Sequence, residues 1–129
     1  MKVFLDSDVL IWLLRGDKRA ARLLKDLRTS PACELWTGAL QRAEILFYAR
    51  PEEEKPTMKL LSILRTASVT EDVVDSAAIM FRKWRPSHDL GIVDVILAAT
   101  SVKASGKVVT LNTKHFPMPE VTVERAWKA

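Results

Sequence analysis
Two kinds of apolar pattern alternate along the chain. Short continuous runs bounded by polar residues read as buried strands. Longer stretches with apolar residues three and four apart read as helices. Residues 2–6 read as a strand and 8–15 as a helix ending near Gly16. Asp17 caps a second helix over 18–28, with Ala21, Leu24 and Leu27 on one side and basic residues on the other. Residues 33–37 (CELWT) predict a strand, and 38–50 a helix that stops before Pro51. Glu52 to Lys55 reads as a solvated turn, then 57–66 as a helix turning Met58, Leu61 and Leu64 inward. Residues 67–69 form a weak strand, and Thr70 caps a helix over 71–84 with a stripe of Val74, Ala77, Ala78 and Phe81. After a loop over 85–91, a helix over 93–105 ends at Gly106, the residue type that tolerates the left-handed region beyond a helix. Residues 108–110 and 121–123 supply the last strands. Strands alternating with helices predict an α/β fold, a parallel sheet covered on both faces.

At 129 residues the chain has the length of one domain, residues 1–129, with no internal repeat or linker. No apolar run reaches membrane-spanning length. Asp6 and Asp8 interrupt what would be a signal peptide's apolar region. Cys33 is the single cysteine, so no internal disulfide forms and a reducing cytoplasm fits. It reads as a small core residue rather than a catalytic thiol. The net charge of +4 permits a polyanionic partner without demanding one. The basic residues do cluster: Arg15, Lys18, Arg19, Arg22, Lys25 and Arg28 in one region, Arg82, Lys83 and Arg85 in another.

Three carboxylates change the picture. Asp6 ends the first strand, and ligands of open α/β sheets sit beyond the carboxyl ends of parallel strands. Glu44 shares a helix face with Leu40, Ala43 and Phe47, so burial is expected; an unpaired buried charge costs several kcal/mol unless a cation meets it. Asp94 opens a helix whose same face continues with the small residues Ala98, Ser101 and Ser105, so that face is expected to approach something closely. Singly, Asp6 and Asp94 read better as turn or cap residues; together the three suggest a hard-oxygen site for Mg²⁺ or Mn²⁺. There is no His/Cys cluster for zinc. Asp8 reads as the cap of helix 8–15, or as a group supporting a ligand. Asp89 stays open. Asp17, Asp26, Asp72, Asp75 and Glu52 to Glu54 read as solvated or capping charges.

The opening FLDSDVLIWLLRG resembles the start of PIN-domain proteins, and GIVDVILAATSVKASGKVVTLNTKHFP resembles that family's later helix, strand and Thr-x-Asn-x-x-(Asp or His)-Phe loop. With Glu44 in LQRAEILFYA, order, spacing and length resemble the VapC-type toxins of toxin–antitoxin pairs. The resemblance covers essentially the whole chain. It implies a three-layer α/β/α fold with a central parallel sheet of four to five strands, and a metal-dependent endoribonuclease. Asp6, Glu44 and Asp94 would be the Mg²⁺ or Mn²⁺ ligands, with Ser7 and Thr110 orienting them or a water and Asn112 a polar loop residue. It further implies a homodimer and a cognate antitoxin whose C-terminal segment lies across the active-site groove. His115 stands where many members have a fourth acid, which favours one tightly held ion; it either contacts a phosphate or is a partly exposed loop histidine. Asp8 replaces the more usual Asn, and Leu111 replaces a frequent Arg.

Two rival readings remain at this point. LDSDVL also resembles the first motif of haloacid-dehalogenase-type phosphatases, with Asp6 as nucleophile and Asp8 as acid, but no later lysine or paired-aspartate motif accompanies it. A catalytically inert PIN module binding RNA or protein is the other. Trp12, Trp36, Phe47 and Tyr48 are assigned mostly to the core, with a surplus available for an antitoxin groove. Trp84 and Trp127 have no assigned place.

Overall fold
The computed structural model describes residues 1–128, so the last residue of the expected 1–129 span lies outside it. Five parallel strands form one sheet: β1 (Lys2–Leu5), β2 (Glu34–Gly38), β3 (Arg65–Ala67), β4 (Lys107–Thr110) and β5 (Val123–Arg125), in the order β3-β2-β1-β4-β5. The helices are α1 (Ser7–Leu14), α2 (Lys18–Thr29), α3 (Ala39–Phe47), α4 (Glu54–Ser62), α5 (Glu71–Trp84) and α6 (Ile92–Lys103). Among the described residues, no helix is long and apolar enough to cross a membrane.

Strand alternation produces three layers. Successive side chains of a strand point to opposite faces. Phe4 and Val108 accordingly join Val73, Ala77, Met80, Val95 and Leu97 of α5 and α6 in one core. Val3, Leu5 and Val109 join Val9, Leu10, Ile45 and Leu61 of α1, α3 and α4 in the other, with leucines of α2 packed beside them. β1 sits in the middle of the sheet. The chain winds from it to β2 and β3 on one side and later to β4 and β5 on the other. The gap between β1 and β4 is therefore the point where strand order reverses, the place such sheets hold ligands.

Several boundaries differ from those read in sequence, for local reasons. α1 begins at Ser7, capped by Asp6 (φ −74°, ψ 160°) rather than by Asp8. α3 stops at Phe47, three residues short of the expected end, because Arg50 precedes a proline and takes extended backbone (φ −78°, ψ 161°). Residues 51–53 form a 3₁₀ turn that runs directly into α4, so the expected turn over 52–55 is largely helical. Pro56 is accommodated because the first helical turn has no intrahelical acceptor for its N–H. α4 consequently ends early, β3 begins at Arg65, and Met58 is exposed while Leu61 and Leu64 are buried. β5 lies two residues later than expected. In α5 the buried line is Val73, Ala77 and Met80, leaving Val74 exposed, and in α2 Ala20 is buried where Ala21 was expected.

The end of α6 corrects the reading of Gly106. The left-handed residue is Ser105 (φ 52°). Gly106 is required for close approach instead: a Cβ there would lie 2.5 Å from the Lys2 carbonyl oxygen and 2.9 Å from the Phe4 ring. Gly106→Ala must push β1 from the turn that feeds β4. It is expected to lower stability by about 1–3 kcal/mol, read as a lower urea midpoint with an unchanged slope.

Candidate active site
The pairing of β1 with β4 assembles the site. Leu5 is in register with Val109, and the Asp6 N–H donates to the Val109 carbonyl at 3.0 Å. Asp6 and Thr110 thus leave the sheet side by side. Thr110 is fully buried and its hydroxyl donates to Asp6 Oδ2 at 2.9 Å and Asp8 Oδ2 at 3.1 Å. One proton is shared between two carboxylates. The hydroxyl is itself fixed by the Asn112 backbone N–H, which donates to it at 3.1 Å. Asp6 Oδ1 accepts from the Ser7 N–H at 2.8 Å, which makes it the α1 cap. Ser7 therefore contributes through its backbone.

Asp6 is the cap, and of the two sequence readings of Asp8, cap or supporting group, its contacts fit the second. Its Oδ1 accepts from the Val9 N–H at 2.7 Å. Its Oδ2 also takes the Leu111 N–H at 3.0 Å and the Asn112 amide at 3.3 Å. Asp8 ties α1 to the loop after β4 and supports Asp6 through the shared threonine. The role of Asn112 is now physical: it clips that loop to Asp8. Arg125 reaches the same loop, donating to the Leu111 carbonyl at 3.3 Å, so a guanidinium arrives from β5 although position 111 itself has none.

Asp94 stands on the first turn of α6, facing His115 with Oδ2 to Nδ1 at 3.4 Å. The Gly91 backbone N–H favours the ionised form of its carboxylate. Ala98 and Ser101 on the same helix face are fully buried, as the small residues there implied; Ser105 is exposed.

The electrostatics are those of uncompensated acid. Burial first, and Asp8 next, push the Asp6 carboxyl up to about 7, against the Thr110 and Ser7 hydrogen bonds that favour its ionised form; Asp94 adds to the rise. Burial raises Asp94 above the usual carboxylate range as well, with Asp8 and Asp89 adding and His115 and Gly91 opposing. No lysine or arginine is among the groups acting on either. Asp89, left open by the sequence, is near enough to act on Asp94.

Glu44 departs from expectation. The apolar stripe of α3 does not bury it: Glu44 is exposed, Phe47 is 82% and Tyr48 86% exposed, while Gln41 and Ile45 face inward. Leu40 and Ala43 are half-buried, and Glu44 lines a surface cleft with Ile11, Arg15 and Tyr48. Among the described residues, no three Asp, Glu, His or Cys side chains stand close enough to share an ion, so Glu44 is not gathered with Asp6 and Asp94. Trp12 and Trp36 are half-buried rather than core. Trp36 lies 5.9 Å from the Phe4 ring, between Lys2 and Arg65.

The sequence reading missed Gln41. It is 1% exposed and its Nε2 has no hydrogen-bond partner among the described residues. Its oxygen lies where a side chain at Gly38 would go. The signal was available as an amide among apolar positions one helical turn before Glu44.

With this geometry in place, the chain can be compared with known proteins. The PIN domain model matches residues 3–120. The chain belongs to the PIN domain family. That membership decides between the two readings of LDSDVL against the phosphatase. Ribonuclease VapC10 of Mycobacterium tuberculosis is 34% identical over 119 residues, 92% of this chain and 88% of that protein. Ribonuclease VapC19 of the same organism is 31% identical over 115 residues, 88% of this chain and 91% of that protein. Among solved structures, VapBC2 from Rickettsia felis, bound to a promoter DNA fragment, superposes with a TM-score of 0.83 at 15% identity over 99% of this chain and 100% of that one. A toxin–antitoxin complex from Klebsiella pneumoniae reaches 0.80 at 21% identity, covering 100% of both chains. These two show the same fold.

The raised Asp6 carboxyl predicts how this PIN domain responds to pH without metal. Asp6 holds its proton in the folded state up to about 7, against an unfolded value of 3.8. The unfolded chain therefore binds fewer protons between those values, and stability falls as pH rises from about 4 to about 7. Asp6→Asn keeps the cap acceptor and loses the charge. In EDTA it is expected to lack that decline and to melt above wild type at pH 8, as measured by thermal denaturation from pH 4 to 8.

Proposed function
We propose that this PIN domain is the toxin of a toxin–antitoxin pair, an endoribonuclease that hydrolyses RNA phosphodiester bonds with Mg²⁺ or Mn²⁺. The observation that carries this is the Asp6–Asp8 pair joined by Thr110 at the switch point of the sheet, with the half-buried Asp94 near enough to act on Asp6, in a chain whose relatives are named ribonucleases. The donor chemistry fits a hard divalent cation: Asp6 and Asp94 offer carboxylate oxygens whose ionised forms are destabilised until a cation arrives. Asp6 and Asp94 would hold the ion. Glu44, the third member of the family's acidic set, stands exposed on α3 apart from this pair. Such an ion lowers the pKa of water and offsets charge developing on the phosphate.

The chain's own groups have defined tasks. Thr110 aims Asp6 and keeps two like charges tolerable beside each other. Asp8 and Asn112 fix the loop that carries Thr110. His115, whose Nδ1 lies 3.4 Å from Asp94 Oδ2, has Nε2 left to meet a phosphate oxygen; a histidine there in place of an acid favours one ion over two. Water attacks in line, the bond from phosphorus to the 3′ oxygen breaks, and 5′-phosphate and 3′-hydroxyl ends result. Basic residues of α1 and α2 hold the RNA backbone, more weakly as salt rises. A homodimer in the cytoplasm, silenced by a cognate antitoxin, completes the reading. The exposed Phe47 and Tyr48 beside Arg15 and Glu44 offer that antitoxin an apolar surface with a charged rim.

A second reading, an inert PIN module, is favoured by the exposed Glu44 and by His115. Calorimetry separates the two: the nuclease binds Mg²⁺ or Mn²⁺, and the inert module does not. For the nuclease, Asp6→Asn and Asp94→Asn should each reduce cleavage of single-stranded RNA by at least about a hundredfold, and Thr110→Val by about 10- to 100-fold through misaimed Asp6. Wild-type rates in Asp6→Asn or Asp94→Asn, read by gel assay with and without EDTA, would sink the assignment.

A further inference from the structure
A second feature lies at the same sheet edge, and the function above draws on it only through the basic residues of α2. β5 pairs Arg125 with Thr110, and the Ala126 N–H donates to the Thr110 carbonyl at 2.9 Å. The chain after β5 therefore leaves beside the acidic site. Trp127 follows two residues past Arg125, about 7 Å of extended chain. It packs beside Leu23 in a cleft of about 560 Å³ between α2 and the C-terminal segment. The charged groups lining it are Lys18, Arg19, Arg22 and Lys128, with Asp26 the one acid.

The cleft has a built platform. The Arg19 guanidinium lies over the Trp127 ring, 5.4 Å from its centroid. Asp17 holds that guanidinium from the side, with Nη2 to Oδ2 at 3.0 Å and Nε to Oδ1 at 3.3 Å. Asp17 is itself fixed as the cap of α2. An arginine plane held by two bonds and backed by an indole loses little freedom when something stacks on it. Guanidinium and aromatic planes are the surfaces on which unpaired bases stack, and flanking cations follow the backbone. Positive charge fits a polyanion; a flat stacking platform fits a base.

We propose that the cleft between α2 and the C-terminal segment is an accessory subsite for single-stranded RNA, where the Arg19–Trp127 pair stacks an unpaired base and Lys18, Arg22 and Lys128 hold the adjoining phosphates. This rests on the ribonuclease reading and names where the strand runs after it leaves the acidic edge. It makes the substrate a strand with an unpaired nucleotide near the scissile bond, because a base locked in a duplex cannot lie flat on the platform.

The test uses the full chain in an Asp6→Asn background, so that RNA stays intact, with a labelled single-stranded oligoribonucleotide and a fully paired RNA hairpin followed by fluorescence anisotropy. Trp127→Leu and Arg19→Ala should each weaken single-strand binding at least about fivefold, with little effect on the hairpin. The exposed double variant Lys18→Ala/Arg22→Ala, which keeps the platform and leaves the core intact, should lower the salt slope of single-strand binding by about 1.4. With Asp6 present, the platform variants should raise KM more than they lower kcat. Unchanged single-strand affinity in Arg19→Ala and the double variant overturns the subsite, as does equal weakening towards both RNAs. Loss of antitoxin co-purification with RNA affinity intact would make the cleft a protein contact and overturn it as well. Wild type that cuts RNA while these variants bind normally overturns the subsite alone; wild type that neither binds nor cuts RNA overturns the ribonuclease reading with it.

Discussion
One hydroxyl proton shared between two carboxylates is the constraint on which the site depends. Thr110 donates to both Asp6 and Asp8. Without that donor, two acids two residues apart would face each other at a buried strand end, with backbone N–H groups and the Asn112 amide as their remaining support. The hydroxyl can be there because β1 and β4 are neighbours in register, although 104 residues separate Asp6 from Thr110. The sheet order is thus part of the chemistry. Moving β4 one place away would leave Asp6 a costly buried charge.

The same arrangement explains why the site holds tension. Burial and Asp8 both act against ionised Asp6, and burial acts against Asp94. A protein optimised only for stability would place asparagines at these positions. Carboxylates that are unfavourable when empty of a counter-charge become favourable when a cation supplies it, which converts folding strain into affinity. The His115 imidazole stands beside Asp94, its Nδ1 3.4 Å from Asp94 Oδ2.

Around this acidic point the surface is arranged by charge sign. α2 turns its leucines to the second core and its lysines and arginines outward. The C-terminal segment folds back beside them, so the positive face begins where the acidic edge ends. A net charge of +4 says little alone; its meaning lies in the separation of a compact negative centre from a basic flank. A polyanionic strand is attracted to the flank and is repelled at the centre until the centre is neutralised.

Much of this was legible in the residues. Alternation of apolar runs and helical stripes specified a covered parallel sheet, since those periods admit few other solutions. Asp6 at a strand end and Asp94 at a helix start were identifiable because a local pattern marks each place. The PIN resemblance was carried by short motifs near both ends. Contacts between distant segments were not legible. Asp8 looked like a cap because nothing near it in sequence reveals that the 110–112 loop closes on it. Glu44 looked buried because its stripe was assumed to face the core, whereas Gln41 and Ile45 took the inward positions and left Phe47 and Tyr48 exposed. Trp127 had no place until β5 paired with β4 and carried it back against α2. Periodicity determines which element forms and which residues it could bury. Only the packing of elements decides which of two apolar faces goes inside and which side chains from opposite ends of the chain meet.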